Sequence, residues 1–271
     1  MIKLIASDLD GTLLTTNKEL TPRLKKSLDK AAQNGALFVP ATGRTLCAIP
    51  QYVKDIPSAK YIITSNGACV YKKGSKTPIF KECLMPEQVE IIYSAASQLD
   101  TVIEVFADGM AYIGKSHFEY LQQFGITGRR ANYIKTTRTV VPDIYSLLHS
   151  NIENIENINV IFNNMSLREE FRADIKNSTN AFVTSSSTDN IEVSSSKAAK
   201  GNALKNLCQM LGIKNNEVIA FGDSENDIDM LEFAGTGVLI KNADNSLKTQ
   251  GLIVSYSCDD YGVARILEDI F

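Results

Sequence analysis

The run Ile2-Lys3-Leu4-Ile5-Ala6-Ser7 is apolar, of strand length, and stops at Asp8-Leu9-Asp10-Gly11-Thr12. Side chains alternate along a strand, so Asp8 and Asp10 would share a face if the strand went on. Gly11 argues against continuation, and a turn there lifts both acids to the strand's carboxyl end. In open α/β sheets that end is where ligands bind. Two carboxylates placed there repel unless a cation joins them, which points to a hard divalent metal. A lone D-x-D-G is equally well an acidic turn, so the choice rests on the rest of the chain.

The same strand-then-polar form recurs. Thr21-Pro22 offers an N-cap and a proline at the first helical position, Leu24, Leu28, Ala31 and Ala32 make a helical stripe, and Gly35 ends it. Ala36 to Ala41 reads as a buried strand broken at Thr42-Gly43-Arg44, and Tyr61 to Thr64 as another broken at Ser65-Asn66-Gly67. Late in the chain come a helix from Lys200 to Leu211, a strand from Glu217 to Phe221, and a helix from Glu225 to Ala234. Short strands at 238–240 and 252–254 and a helix from Val263 to Ile270 close the pattern. Such alternation predicts an α/β fold with a doubly wound, mainly parallel, Rossmann-like core sheet. In between, the alternating segments 101–106, 111–113 and 159–162 predict half-exposed antiparallel strands. Helical stretches accompany them at 86–99, 116–124 and 166–177. Together they predict an inserted α+β domain (antiparallel sheet plus helices), expected to cover the carboxyl edge of the core sheet.

A net charge of -3 without any basic run excludes an electrostatic case for nucleic acid. No apolar segment approaches the roughly 18 residues that cross a bilayer. The first strand begins too early to leave room for a secretory signal. The five cysteines are scattered without a C-x-x-C pair, as suits reduced thiols in a cytoplasmic protein.

Gly222-Asp223-Ser224-Glu225-Asn226-Asp227 repeats the opening logic, a buried strand ending in glycine and acids. Ser224 and Asp227 also fit a capping box, which accounts for Asp227 and leaves Asp223 unexplained. If both acid clusters meet at one sheet edge, each unscreened pair near 4 Å costs ~1 to 4 kcal/mol at effective dielectrics of 80 down to 20. A bound Mg2+ removes that cost and keeps open positions for a phosphate. Lys200 supplies a positive charge at a helix start, where it is otherwise an ordinary solvated lysine. Thr42 is otherwise a loop hydroxyl, and Asn66 a left-handed turn residue.

Five segments together carry a family resemblance. Asp8-Leu9-Asp10-Gly11-Thr12, Ala41-Thr42-Gly43-Arg44, Ser65-Asn66-Gly67-Ala68, Lys200-Gly201-Asn202-Ala203-Leu204 and Gly222 to Asp227 resemble, in order and spacing, the four motifs of the haloacid dehalogenase-like (HAD) phosphatases of the Cof-type group. The long insertion resembles that group's type IIB (C2B) cap. The resemblance implies a catalytic core at 1–82 and 190–271 and a cap at 83–189. It implies a Mg2+-dependent phosphatase of small phosphorylated metabolites, sugar phosphates or cofactors such as flavin mononucleotide. Asp8 would be the nucleophile forming an aspartyl-phosphate, and Asp10 the general acid and base. Asp8, Asp223 and the Asp10 carbonyl would hold the metal, with Asp227 orienting a metal-bound water or Lys200. Thr42, Gly43, Arg44, Asn66, Lys200 and Asn226 would contact the substrate. Leu239 and Lys241 depart from the small residues the family has after the second acid cluster, and Lys197 competes for the role given to Lys200. A phosphomutase on the same scaffold and a phospho-accepting signalling domain are the alternatives, although receiver domains lack so long an insertion.

Overall fold

A computed structural model describes residues 1–247 and 252–271. The chain forms two compact units. The first comprises Met1–Gly43, Ile49–Phe80 and Ala199–Phe271, and the second Arg44–Ala48 and Lys81–Ala198.

In the first unit the strand Leu4–Ser7 is central. It lies parallel to Val218–Gly222 on one side and Leu37–Pro40 on the other, and Thr236–Leu239 and Ile253–Val254 extend the sheet beyond Val218–Gly222. The alternation of side chains divides the apolar residues between two faces. Ile5, Phe38, Ile219 and Phe221 pack with Leu24 and Leu28 of the helix Pro22–Gln33 and with Val263 and Leu267 of Gly262–Ile270. Leu4, Ala6, Val39 and Ala220 pack with Ala203, Leu204 and Leu207 of Lys200–Leu211 and with Met230 and Leu231 of Ile228–Phe233. Each fully buried Leu or Ile contributes roughly 1.5 to 3 kcal/mol, so these two faces dominate the unit's cohesion. The helix at Pro22 begins as its sequence expects, with the Leu24 amide donating to Thr21 Oγ1 at 3.2 Å.

Register is what matters for function. Ser7 stands opposite both Phe221 and Pro40, so the chain leaves three neighbouring strands at one level. Asp8, Thr42 and Asp223 therefore emerge along one edge. Tyr61–Thr64 keeps the parallel order of the core sheet. It runs beside Leu37–Pro40 through isolated parallel bridges, then turns back at Ser65–Gly67 into the antiparallel strand Cys69–Lys72.

The second unit is built on a six-stranded sheet in the order Phe182–Thr184, Asn190–Ser194, Ile155–Phe162, Thr101–Ala107, Met110–Gly114, Arg138–Val141. All its pairs are antiparallel except the last. The helices Pro86–Ser97, Ile144–Ser150 and Met165–Ser178 share one apolar cluster with one face. Ile134 of Gly128–Thr137 packs with Val102, Ile113 and Ile161 of the other.

Two sequence expectations need correcting here. The strands at 101–106 and 159–162 are not half-exposed, because every residue of Thr101–Ala107 and Ile155–Phe162 is buried. Their polar side chains are paired inside: Arg138 donates to both carboxylate oxygens of Glu104 at 2.8 Å, and Asn159 Nδ2 to Glu104 Oε2 at 2.9 Å. The unit is also wider than 83–189. Asn190–Ser194, expected in the core, is hydrogen-bonded between Phe182–Thr184 and Ile155–Phe162, and the Cys47 amide donates to Gly109 O at 3.0 Å.

Candidate active site

The Asp8 amide donates to Phe221 O at 3.0 Å, one last bond in the ladder of the central strand, and the chain then turns. Gly11 makes the turn with φ +86, and a Cβ there would lie 2.4 Å from Asp223 Oδ2. Glycine is thus needed both for the backbone conformation and for the approach of the two acid loops. Thr12 Oγ1 fastens that approach by donating to Asp223 Oδ1 at 2.6 Å. Asn242 Nδ2 adds a bond to Gly11 O at 2.9 Å.

Asp227 works in two directions. Its Oδ2 accepts the amides of Asp223 and Ser224, each at 3.0 Å, which is the capping arrangement. Its Oδ1 accepts from Lys200 Nζ at 2.7 Å. Lys200, with no exposed surface, also donates to Asp8 Oδ1 at 2.8 Å. The lysine is aimed by its helix start. The Gly201 amide donates to Asp229 Oδ2 at 2.7 Å, and Gly67, at φ +94, lets the Ser65–Gly67 turn press on Ala199 O, 2.3 Å from where a Cβ would stand. Lys197, the competing lysine, is exposed.

One oxygen each of Asp8, Asp223 and Asp227 lies within 4.8 Å of the others. Burial pushes the Asp8 carboxyl well above the usual range; Lys200 opposes this, while Asp227, Asp223 and Asp10 add to it. Burial, then Asp227, pushes Asp223 up to about 6 against the hydrogen bond from Thr12. Burial disfavours the Lys200 ammonium, yet Asp227 and Asp8 outweigh it and hold it charged. Lys18 Nζ pairs with Asp10 Oδ1 at 2.7 Å. Among the described residues, Lys200 pairs with both Asp8 and Asp227 while an oxygen of Asp223 lies within 4.8 Å of theirs, a surplus of carboxylates that a divalent cation would offset. The donors are all oxygen, the ligand chemistry of Mg2+. The residues fit such an ion.

Beside the acids, Thr42 is buried, its amide donating to Ile63 O at 3.0 Å and its carbonyl accepting the Asn66 amide at 3.1 Å. Asn66 is buried in the left-handed region at φ 55, and its Oδ1 accepts from Asn226 Nδ2 at 2.9 Å. Asn226 Oδ1 is buried without a hydrogen-bond partner among the described residues. Gly43 leaves room for the Asn66 amide, since a Cβ there would lie 2.9 Å from Asn66 Oδ1. Asp8, Asp10, Thr42, Gly43, Asn66, Lys200, Asn226, Asp223 and Asp227 therefore all belong to the first unit. Arg44 opens the second, where its guanidinium donates to Ala48 O at 2.9 Å and lies 4.8 Å over the Tyr133 ring.

Sequence reasoning missed Thr12, Lys18, Asp229 and Asn242. Thr12 lies inside the first motif, Asp229 two residues past Asp227 and Asn242 directly after Lys241 in the stretch compared with the family, so position flags all three; Lys18 carries no local signal. The departures at Leu239 and Lys241 fall beside the site. Leu239 is buried in the apolar cluster of the sheet, and Lys241 is exposed.

No helix among the described residues is long and apolar enough to cross a membrane. Residues 5–267 match the profile of the haloacid dehalogenase-like hydrolases. The chain is 28% identical over 287 residues to the phosphatase YwpJ of Bacillus subtilis, covering 99% of this chain and 100% of the relative. It is 27% identical over 258 residues to the pyridoxal phosphate phosphatase YbhA of Escherichia coli, covering 93% and 92%. A solved haloacid dehalogenase-like hydrolase from B. subtilis superposes over 100% of both chains with a TM-score of 0.88 at 26% identity. With the profile spanning nearly the whole chain and the acid loops converging on one sheet edge, the protein belongs to the haloacid dehalogenase-like hydrolase family and is a phosphoric monoester hydrolase.

Proposed function

We propose that the protein hydrolyses phosphate monoesters of small metabolites through an aspartyl-phosphate on Asp8. The observation that carries this is Asp8 at the end of the central strand, bonded to the buried Lys200, with Asp223 and Asp227 oxygens within 4.8 Å. Asp8 attacks phosphorus and a new P–O bond forms while the bond to the leaving oxygen breaks. Asp10 gives its proton to that oxygen. Asp10 then takes a proton from a water whose oxygen attacks phosphorus, releasing phosphate and restoring Asp8. Lys200, Thr42 and Asn226 meet the phosphoryl oxygens, whose positioning and neutralisation carry most of the catalysis in such transfers. Asp8, Asp223 and the Asp10 carbonyl would hold Mg2+, while Asp227, with both oxygens engaged, orients Lys200 and the Asp223 loop. Bound there, Mg2+ supplies the positive charge that lets a carboxylate and a phosphate dianion approach. Gly43, Arg44 and Asn66 are assigned to the substrate side.

The substrate class is a phosphorylated sugar or cofactor, and the likeness to a pyridoxal phosphate phosphatase supports the cofactor branch. Five free thiols suit the cytoplasm. The experiment is phosphate release from a panel of sugar phosphates, pyridoxal phosphate and flavin mononucleotide, with Mg2+ and with chelator. Metal-dependent release that Asp8→Asn abolishes is expected. Release that survives Asp8→Asn removes the nucleophile, and a rearranged ester in place of free phosphate makes the enzyme a mutase.

A further inference from the structure

The segment after the first acid pair folds back on it. Leu13 and Leu14 are buried in the core, and the chain then makes a tight turn from Thr15 to Glu19. Within it the Thr15 amide donates to Glu19 O at 3.1 Å, the Lys18 amide to Thr15 O at 2.8 Å, and the Glu19 amide to Thr15 Oγ1 at 3.1 Å. Lys18 itself has φ 63, a conformation that a lysine rarely adopts without an outside constraint. Two constraints are present. Tyr52 Oη donates to Lys18 O, and Asp259 accepts the Thr16 amide at 2.9 Å and the Thr16 hydroxyl at 3.0 Å. From this tethered turn the Lys18 side chain returns to Asp10 Oδ1 at 2.7 Å.

An exposed ion pair between mobile side chains contributes little, because ordering both opposes it. Here the lysine's backbone is fixed beforehand by contacts that do not involve Asp10. We propose that Lys18 is a positioning residue for the proton transfer by Asp10. Its ammonium donates to Oδ1 and fixes the rotation of the carboxyl that serves the leaving oxygen. Tyr52, by holding the Lys18 carbonyl, sets where that ammonium stands. The proposal rests on Asp10 being the general acid.

The test compares leaving groups. An alkyl phosphate needs a proton on its departing oxygen, whereas p-nitrophenyl phosphate releases a stabilised phenolate without one. Steady-state kinetics of the Mg2+-loaded enzyme are measured on both for wild type, Lys18→Met, Lys18→Arg, Tyr52→Phe and Asp10→Asn. Lys18→Met is expected to lower kcat/KM, which reports aspartyl-phosphate formation and leaves out the later water step common to both esters, about tenfold on the alkyl ester, a fraction of the full general-acid effect, and less than about twofold on the aryl ester. Lys18→Arg should restore most of the loss, and Tyr52→Phe should show a smaller loss with the same leaving-group selectivity. Equal losses on both esters, or no loss on either, overturn the proposal. So does a rise in KM for both at unchanged kcat, which would make Lys18 a cation for the substrate's phosphate. If Asp10→Asn lowers kcat/KM equally on both esters, the assignment of the general acid falls and the Lys18 role with it. If Asp10→Asn is selective and Lys18→Met is not, only the Lys18 role falls.

Discussion

Each unit buries one cationic side chain against carboxylate, and the two do so with opposite results. In the second unit Arg138 meets Glu104 through two parallel bonds of 2.8 Å, and Asn159 donates a third at 2.9 Å. Burial alone would raise the Glu104 carboxyl, but Arg138 and Asn159 outweigh it and hold it below the usual range. In the first unit Lys200 is asked to serve both Asp8 and Asp227 with Asp223 close by, and Asp8 and Asp223 end well above theirs. One planar guanidinium per carboxylate closes its charge balance; one ammonium among several carboxylates leaves it open. The open balance marks the place where the proposed chemistry would take a further cation. The closed one is a structural clasp.

The contrast breaks first at Asp8. With Asp8 as the proposed covalent nucleophile, Asp8→Asn should lower kcat by about 10³-fold or more. Because burial disfavours its ionised form, the same change should leave the melting temperature equal to or above wild type. Phosphate-release kinetics together with a thermal melt check this, and a marked fall in the melt would mean that Asp8 is part of a stabilising clasp after all.

The reverse is expected of the second unit. Arg138→Met strands Glu104, whose side chain is only 1% exposed, and should destabilise by about 3 to 5 kcal/mol in urea unfolding. The double variant Glu104→Leu/Arg138→Met should recover most of that, since apolar residues of similar size can replace a buried pair. A single variant as stable as wild type would remove the clasp reading.

Changing pH sharpens the comparison without mutation. Glu104 has a lowered pKa, so its stabilising contribution is present above its unfolded value of 4.5 and is lost as pH falls through the folded value. Asp223 is raised, so the stability it contributes is present below its unfolded 3.8 and is lost as pH rises through about 6. In protein freed of divalent cations, core amides of Ile5 and Ala6 should therefore exchange faster as pH rises through that window, after correction for intrinsic exchange. Amides of Val105 and Ile158 should be slowed over the acid range where Glu104 ionises. Added Mg2+ should flatten the first trend and leave the second alone. Parallel slopes in the two units would contradict the contrast.

How much of this was legible follows from the range of the interactions. The strand ends carrying Asp8, Thr42 and Asp223 could be read because each is a local pattern, an apolar run broken by glycine and polar residues. Their convergence at one level needed only the parallel order of three strands. The Glu104 clasp was hidden because alternation along Thr101–Ala107 looks the same whether the polar face meets water or an arginine 34 residues away. Lys18 was hidden for a similar reason. Its role depends on a left-handed backbone and on Tyr52, neither of which marks the sequence around it. Asn190–Ser194 joins the second unit against the expectation from sequence, because a strand's composition does not name its partners.

The smallest expected effect tests whether the open balance is tuned as well as open. Thr12 is buried and its hydroxyl donates to Asp223 Oδ1 at 2.6 Å, the contact that most lowers the Asp223 carboxyl against burial. Valine matches threonine in shape and lacks the donor. Thr12→Val should push Asp223 further up, so that more work is needed to ionise it before a cation can bind. The apparent Mg2+ affinity should weaken about tenfold, the lower end of what removing a hydrogen-bonding partner does where, as proposed for Asp223, the carboxylate is a metal ligand. Turnover at saturating Mg2+ should stay near wild type, because the residues placed on the phosphoryl group are untouched. Thr12→Ser, which keeps the hydroxyl, should keep the affinity. A Mg2+ titration of turnover for the three proteins separates the possibilities. If valine and serine behave alike, the hydroxyl only holds the Gly11 turn against the Asp223 loop. If only valine weakens the metal, the first acid motif shapes the electrostatics of the second, through a residue just beyond its glycine.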